Sequence, residues 1–292
     1  MKITIAKDAG YCFGVRDAVN MAHDANKRYG EIYMLGAIVH NERVVNDLKG
    51  RGAKIVSNLN DVPSNSPILF RAHGTVNKLW NEANKKGMNI IDATCPLVYE
   101  IHHEVKKISL DGRKIIVIGD HKHDEVVAIA DQVKNAIIIS SIEEARNLRK
   151  IKRAGVVSQS TQSFENIKDI INILMTKVFD LHFINTICYP TKRNHEQIGN
   201  ISKSHDIMII IGSFTSANSK RLTQLSKKIN KNTFQVTCSD DLQYKWFKKM
   251  DDIGISAGAS TPDYLIEEVS KKIEIIYKEK LWKKEPLKLK SA

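Results

Sequence analysis

Short, unbroken apolar runs rich in Ile and Val alternate along this chain with stretches of helical length that carry a single apolar face. The runs include Ile3–Ala6, Ile32–Leu35, Ile68–Phe70, Ile115–Ile118, Ala136–Ile139, Gly155–Val157, Ile207–Ile211 and Ile253–Ser256. A strand that is apolar throughout, rather than at alternate positions, belongs in a parallel sheet covered on both faces. The segments between them, such as Arg16–Arg28, Val98–Ser109, Asn218–Ile229 and Thr261–Tyr277, predict helices. Asn218 or Ser219 is expected to cap the third of these, and Thr261-Pro262-Asp263 to open the fourth with proline in the first turn. About four strands fall in each third of the chain, which predicts an α/β fold with mostly parallel sheets.

The same pattern repeats. Cys12, Cys95 and Cys188 each follow an apolar run, in KITIAKDAGYC, MNIIDATC and LHFINTIC. Gly36, Gly119 and Gly212 stand 24 positions beyond them, each closing a second apolar run, and His40, His123 and Ser216 follow four positions later. Each third then carries a further run closing on a small or polar turn: ILFRAHGT, GVVSQST and GISAGAST. In-register punctuation at a period of roughly 90 residues is an internal repeat. The expected organisation is a unit at 1–94 carrying Cys12, a second at 95–187 carrying Cys95, a third at 188–280 carrying Cys188, and a basic tail at 281–292. Three similar αβα units, each giving one thiol and one polar turn, predict a single site on a pseudo-threefold axis. A lone cysteine more often packs as a small hydrophobe. Unrelated core cysteines, however, have no reason to keep step with polar turns across three repeats, whereas Cys238, in VTCSDD, lies out of register and reads as structural.

Composition narrows the class. A chain of 292 residues with 42% hydrophobic and 27% charged residues is globular in kind. No apolar run is long enough to span a membrane, and MKITIAKDAG enters a strand directly, so neither a membrane span nor a targeting segment is expected. Four scattered cysteines predict reduced thiols in a cytoplasmic protein rather than a disulfide framework. The net charge of +12 is in part a lysine-rich surface and in part the tail KEKLWKKEPLKLKSA. It would attract a diphosphate or an acidic redox partner. No zinc finger, RNA-motif signature or aromatic-interleaved basic strand supports nucleic-acid binding.

Three thiolates at one site suit two metals. Structural zinc sites usually draw on closely spaced CxxC pairs, which are absent here. An iron–sulfur cluster accepts distant cysteine ligands, and a cubane with three ligands keeps one iron open for substrate. In HDEV, His123 and Glu125 stand just past a strand end. A glutamic acid in a dry site can act as a general acid, although such a pair is also common at an exposed helix entry. His40 and His73 lie at similar turns, and Ser160, Thr161, Ser216, Asn218 and Ser260 add hydroxyl and amide donors. Helix N-termini with such donors make a diphosphate cradle.

The segments GYCFGV, VHNERVV, RAHG, DATCPLV, HDEV, SQST, TICYPT, GSFTSANSKRL and AGASTPD, in this order over residues 1 to about 265, resemble the LytB-type 4-hydroxy-3-methylbut-2-enyl diphosphate reductases. The resemblance implies three αβα units around a [4Fe-4S] cluster held by Cys12, Cys95 and Cys188, with the fourth iron open to the substrate hydroxyl. It implies loss of that hydroxyl as water after two one-electron reductions and protonation, giving isopentenyl or dimethylallyl diphosphate. His40, His73, His123, Ser216, Asn218 and Ser260 would hold the diphosphate, with Thr161 beside them; Glu125 would supply protons and Ser160 would link it to the substrate. A flavodoxin or ferredoxin would deliver electrons to a monomer or weak homodimer, with no nucleic acid or membrane involved.

The chain departs from the family pattern at several positions. Ser160 stands where Thr is usual, Ala217 replaces the second serine of the phosphate turn, Asn194-His195 replace an Arg-Gln pair, Pro190 follows Tyr189, and Asp124 stands where Pro is common. Two other classes remain open from the residues: an iron–sulfur electron-transfer or sensing paralogue acting on no substrate or on another allylic diphosphate, and a zinc hydrolase using cysteine and His123.

Overall fold

Lys114–Ile118, with the sequence KIIVI, shows why the unbroken apolar runs become central strands. Successive side chains point to opposite faces of a sheet. Ile116 and Ile118 pack with Ile167, Ile170 and Leu174 on one side. Ile115 and Val117 pack with Ile101, Val105, Ile108, Val126 and Ile129 on the other. Each face meets its own helices, so neither tolerates a polar residue.

The computed structural model of the chain describes residues 2–248 and 252–282. Its strands are β1 (Ile3–Ile5), β2 (Ile32–Leu35), β3 (Ala53–Val56), β4 (Pro67–Phe70), β5 (Asn89–Asp92), β6 (Lys114–Ile118), β7 (Ile137–Ile139), β8 (Ile151–Ser158), β9 (Val178–Phe183), β10 (Ile207–Ile211), β11 (Thr233–Val236) and β12 (Ile253–Ala257). The helices are α1 (Phe13–Tyr29), α2 (Glu42–Gly50), α3 (Asn77–Lys85), α4 (Pro96–Leu110), α5 (Asp124–Ala130), α6 (Ile142–Asn147), α7 (Phe164–Lys177), α8 (Tyr189–Ser204), α9 (Ala217–Ile229) and α10 (Asp263–Trp282). Three four-stranded sheets result, ordered β3-β2-β4-β5, β7-β6-β8-β9 and β11-β10-β12-β1. Every pairing in them is parallel. The three orders are the same topology, and the α/β class expected from the repeat is what forms.

One boundary differs from expectation. The strand that opens the chain does not join the first sheet; β1 completes the third, with Ile3 opposite Ile253 and Ile5 opposite Ile255. Accordingly, the described residues up to Cys12 and from Lys192 onward form one compact unit, and Phe13–Thr191 forms another holding the first two sheets. The physical reason is edge completion. β12 has a side left open by β10, and the run that precedes Cys12 pairs along it in parallel. Each cysteine therefore follows the fourth strand of a sheet, rather than opening the unit to which the spacing assigned it. Of the expected tail, residues 281 and 282 continue α10, and 283–292 lie outside the described residues.

Helix starts show a second difference. The N-cap of α9 is Ser216, whose hydroxyl accepts from Ser219 N at 3.3 Å, so neither Asn218 nor Ser219 takes that role. The cap falls two residues before the earlier of the two expected positions, which leaves Asn218 inside the first helical turn. Pro190 falls in the first turn of α8, where a missing N–H costs nothing.

Candidate active site

The three sheets end in matching turns. Gly36 N, Gly119 N and Gly212 N donate to Val56 O, Ile139 O and Val236 O at 2.9, 3.0 and 2.8 Å. Cys95 N, Cys188 N and Cys12 N donate to Ala72 O, Ser160 O and Ala259 O at 3.0, 3.0 and 3.2 Å. The repeated spacing in the sequence thus corresponds to repeated backbone hydrogen bonds. These ends are the carboxyl ends of parallel strands, where open α/β sheets bind ligands.

In the unit formed by Phe13–Thr191, His40, His73 and His123 come together. Their ring centroids are 4.7 Å apart for His40 and His73, 5.5 Å for His40 and His123, and 5.3 Å for His73 and His123. One nitrogen from each lies within 4.8 Å of the others, close enough for the three to share one ligand, whether a metal ion or a phosphate group. Burial, His40, His123 and Arg71, in that order, hold the pKa of His73 well below 6.5. At neutral pH this imidazole is uncharged and offers a hydrogen bond rather than a full charge. His123 is the N-cap of α5, and its Nδ1 accepts from Glu125 N at 3.3 Å. That bond assigns the proton to Nε2, which makes Nε2 the donor.

Glu125 occupies the first turn of α5 and is only 2% exposed. Its Oε1 accepts from Ser160 N at 2.6 Å and its Oε2 from Ser160 Oγ at 2.9 Å, both buried. One residue of the SQST turn therefore fixes the whole carboxylate, across 35 positions of sequence. Thr161 Oγ1 instead accepts from Gln159 Nε2 at 3.0 Å, which ties it into its own turn.

No disulfide joins any of the four cysteines among the described residues. Cys12, Cys95 and Cys188 are partly exposed and each immediately precedes a helix, α1, α4 or α8. The unsatisfied N–H groups of a helix start favour an anion such as a thiolate. Cys188 Sγ lies 3.1 Å from Thr191 Oγ1. A Cβ on Gly14 would sit 2.4 Å from Cys95 Sγ, so only glycine leaves room for that thiol. Cys238 is different in kind: it is buried in the core beside Val236 and Phe247.

Ser216, Asn218 and Ser260 belong to the other unit, at the ends of the neighbouring strands β10 and β12. Gly258 N donates to Ile211 O at 2.8 Å and Thr261 Oγ1 to the same carbonyl at 3.0 Å, which joins the two turns. A Cβ on Gly212 or Gly258 would come within 2.2 or 2.1 Å of Ser219 Oγ, so the turns are drawn tight against α9. Asn218 is 6% exposed, yet neither its Oδ1 nor its Nδ2 has a hydrogen-bond partner. A buried amide with both ends unmet is costly unless something else binds it. The same holds for Asn194 Oδ1 in α8. Two residues that sequence reasoning did not assign are Arg71 and Asp124, an ion pair 53 positions apart that carries no periodic signal.

Residues 3–274 match the family model of the LytB protein. The chain belongs to the LytB family. It is 37% identical over 275 residues to the 4-hydroxy-3-methylbut-2-enyl diphosphate reductase of Geobacter sulfurreducens, covering 94% of this chain and 97% of that protein. It is 38% identical over 281 residues to the enzyme of the same name from Thermoanaerobacter sp. (strain X514), covering 94% and 98%. Among solved structures it resembles an (E)-4-hydroxy-3-methyl-but-2-enyl diphosphate reductase described as the terminal enzyme of the non-mevalonate pathway. That match has a TM-score of 0.72 at 35% identity, over 94% of this chain and 99% of that one. It also resembles the E-1-hydroxy-2-methyl-but-2-enyl-4-diphosphate reductase from Plasmodium falciparum, with a TM-score of 0.88 at 29% identity, over 94% and 87%. In this LytB chain the family segments fall at the strand ends described above.

Proposed function

We propose that this protein reduces 4-hydroxy-3-methylbut-2-enyl diphosphate, replacing its hydroxyl by hydrogen to give isopentenyl and dimethylallyl diphosphates. Two electrons and two protons enter, and water leaves. The observation that carries this reading is the buried Glu125 carboxylate, held at both oxygens by Ser160 and joined through α5 to the histidine cluster. A proton-donating group and a set of phosphate donors thus share one helix start.

Cys12, Cys95 and Cys188 are assigned to a [4Fe-4S] cluster. Their helix-start positions and the space that Gly14 leaves beside Cys95 fit soft thiolate ligation. Such a cluster, when bound, supplies the electrons one at a time. His40, His73 and His123 are assigned to the diphosphate, and the resemblance assigns Ser216, Asn218 and Ser260 to it as well. Asn218 brings one amide with both ends unmet, which a phosphate oxygen and a hydroxyl would complete. Thr161 and Ser160 line the hydroxyl end, where Ser160 keeps Glu125 aimed. Electrons are expected from an acidic flavodoxin or ferredoxin, with the protein working in the reducing cytoplasm as a monomer or weak homodimer.

The test is anaerobic preparation with iron and sulfide analysis, followed by a reduced-viologen assay. About four irons per chain are expected, lost or labile in Cys12→Ser, Cys95→Ser and Cys188→Ser but kept in Cys238→Ser. Substrate-dependent oxidation of the dye separates the reductase from an electron-transfer or sensing paralogue, which would bind iron and sulfide yet leave the dye reduced. Stoichiometric zinc without sulfide would overturn the assignment and favour a zinc ion at the three histidines.

A further inference from the structure

We infer that Arg71 and Asp124 form a clamp that holds the turns of His40, His73 and His123 in register around one diphosphate. This deepens the function proposed above and rests on its assignment of those histidines as diphosphate donors. Arg71 stands just past β4, two residues before His73. Asp124 is the first residue of α5, between His123 and Glu125. Arg71 Nη1 meets Asp124 Oδ2 at 2.5 Å, with the two side chains 22% and 31% exposed.

The third turn joins through a missing side chain. Gly36 closes β2 four residues before His40 and has φ +75°, a conformation that L side chains rarely adopt. A Cβ there would lie 2.9 Å from Arg71 Nη1 and 3.3 Å from its Cζ, so the guanidinium rests on the bare backbone of Gly36. One side chain therefore touches the His40 turn, belongs to the His73 turn and is ion-paired to the His123 turn.

The pair is poorly built for stability alone. Arg71 Nε is buried without an acceptor, and only one of the guanidinium's possible hydrogen bonds reaches Asp124. A half-buried, single-contact ion pair recovers little of its desolvation cost. Its value lies in fixing positions, since three imidazoles on separate turns bind one anion well only if their spacing is set before it arrives. Asp124 also sits one residue from Glu125, so the clamp bears on the proton donor through the same helix start. Arg71 and Asp124 are positioning residues, because they act through the histidines.

The experiment compares holoenzyme carrying Arg71→Met, Asp124→Asn or both, using calorimetric binding of inorganic diphosphate together with the reduced-viologen assay. If the pair works as a unit, each single variant weakens diphosphate about threefold to tenfold, and the double variant does no worse than either single. The loss falls on KM for the substrate rather than on kcat, while iron content stays at the wild-type level. Should Arg71→Met not fold, Arg71→Lys takes its place, because it keeps the charge but cannot spread over Gly36. Unchanged affinity in the single variants, or losses that multiply in the double, would overturn the clamp. A wild-type protein that does not bind diphosphate would remove both the clamp and the histidine assignment. Diphosphate binding that shows the expected coupling without any turnover would sustain the clamp and defeat only the reductase reading.

Discussion

Glu125 shows how much one residue's surroundings decide. Its carboxylate is out of water, so either protonation state depends on what it touches. Ser160 holds both oxygens, which removes freedom of orientation and leaves the carboxyl aimed by the SQST turn. Glutamine at this position keeps the size and can still accept from Ser160, but it cannot deliver a proton. Glu125→Gln is therefore expected to load its metal centre and bind substrate nearly as the wild type does, while turning over at least about a hundredfold more slowly. Near wild-type turnover in the viologen assay would assign the proton to another source. His123→Ala should behave differently, because His123 both faces the other imidazoles and caps the helix that carries Glu125. Its main effect is expected on KM, with a smaller loss in kcat from a loosened α5. The resemblance carried by HDEV and SQST already set Ser160 beside Glu125, and the two residues meet across 35 positions. The Arg71–Asp124 pair was not legible, because a contact 53 positions apart leaves no trace in local pattern.

At the scale of elements, close approach between α4 and β8 governs the second sheet. Gly155 lies within β8, and a Cβ there would fall 2.0 Å from Ile108 Cγ2, an atom of a fully buried side chain. Gly155→Ala must therefore displace α4, at a cost of about 1–3 kcal/mol as overpacking. Ile108→Ala alone should cost about 2–5 kcal/mol through the cavity it leaves. The two changes occupy the same space, so the double variant is expected to be less destabilised than their sum in urea unfolding. Strict additivity would show that the helix does not press on the strand in solution. Elements buried on both faces, such as β6 and β10, were legible in the sequence. The edge strands β3 and β11 were not, since AKIV and TFQV carry polar residues where only one side needs a neighbour.

The whole molecule adds two dependences on conditions. The pKa of His102, which is 5% exposed, is pushed down to about 4, chiefly by burial and then by Lys106, with Asp92 opposing. His73 is likewise held below 6.5. Below pH 6.5 the unfolded chain takes up protons that the folded protein refuses, so stability is expected to fall as pH drops from about 6.5 toward 4. His102→Gln removes one such group, and its urea midpoint should change less between pH 7 and pH 5 than that of the wild type. An equal change in both proteins would remove His102 from the explanation. The second dependence is on salt. A net charge of +12 attracts an acidic donor and is screened by ions. Turnover with flavodoxin or ferredoxin should fall as ionic strength rises, while turnover with a small neutral reductant should change little. Among the described residues no helix is long and apolar enough to cross a membrane.

What the sequence by itself determined was whatever depends on local composition and on spacing along the chain. Short unbroken Ile and Val runs, set between amphipathic stretches of helical length, point to buried strands in parallel sheets. The common offset from Cys12, Cys95 and Cys188 to Gly36, Gly119 and Gly212 reports a repeated unit whose backbone hydrogen bonds recur in each copy. The tertiary structure alone decided which partner each element takes. β1 could have paired with any strand that had an open edge, and its pairing with β12, Ile3 against Ile253, is set by which edge the rest of the chain leaves uncovered. The same is true of side chains. Ser216 rather than Asn218 caps α9 because the turn after Gly212 ends where it does, and that leaves the Asn218 amide buried with both ends unmet. Arg71 reaches Asp124 because Gly36 offers no Cβ to stop it. Such contacts are choices among competing geometries, and competition is resolved in three dimensions.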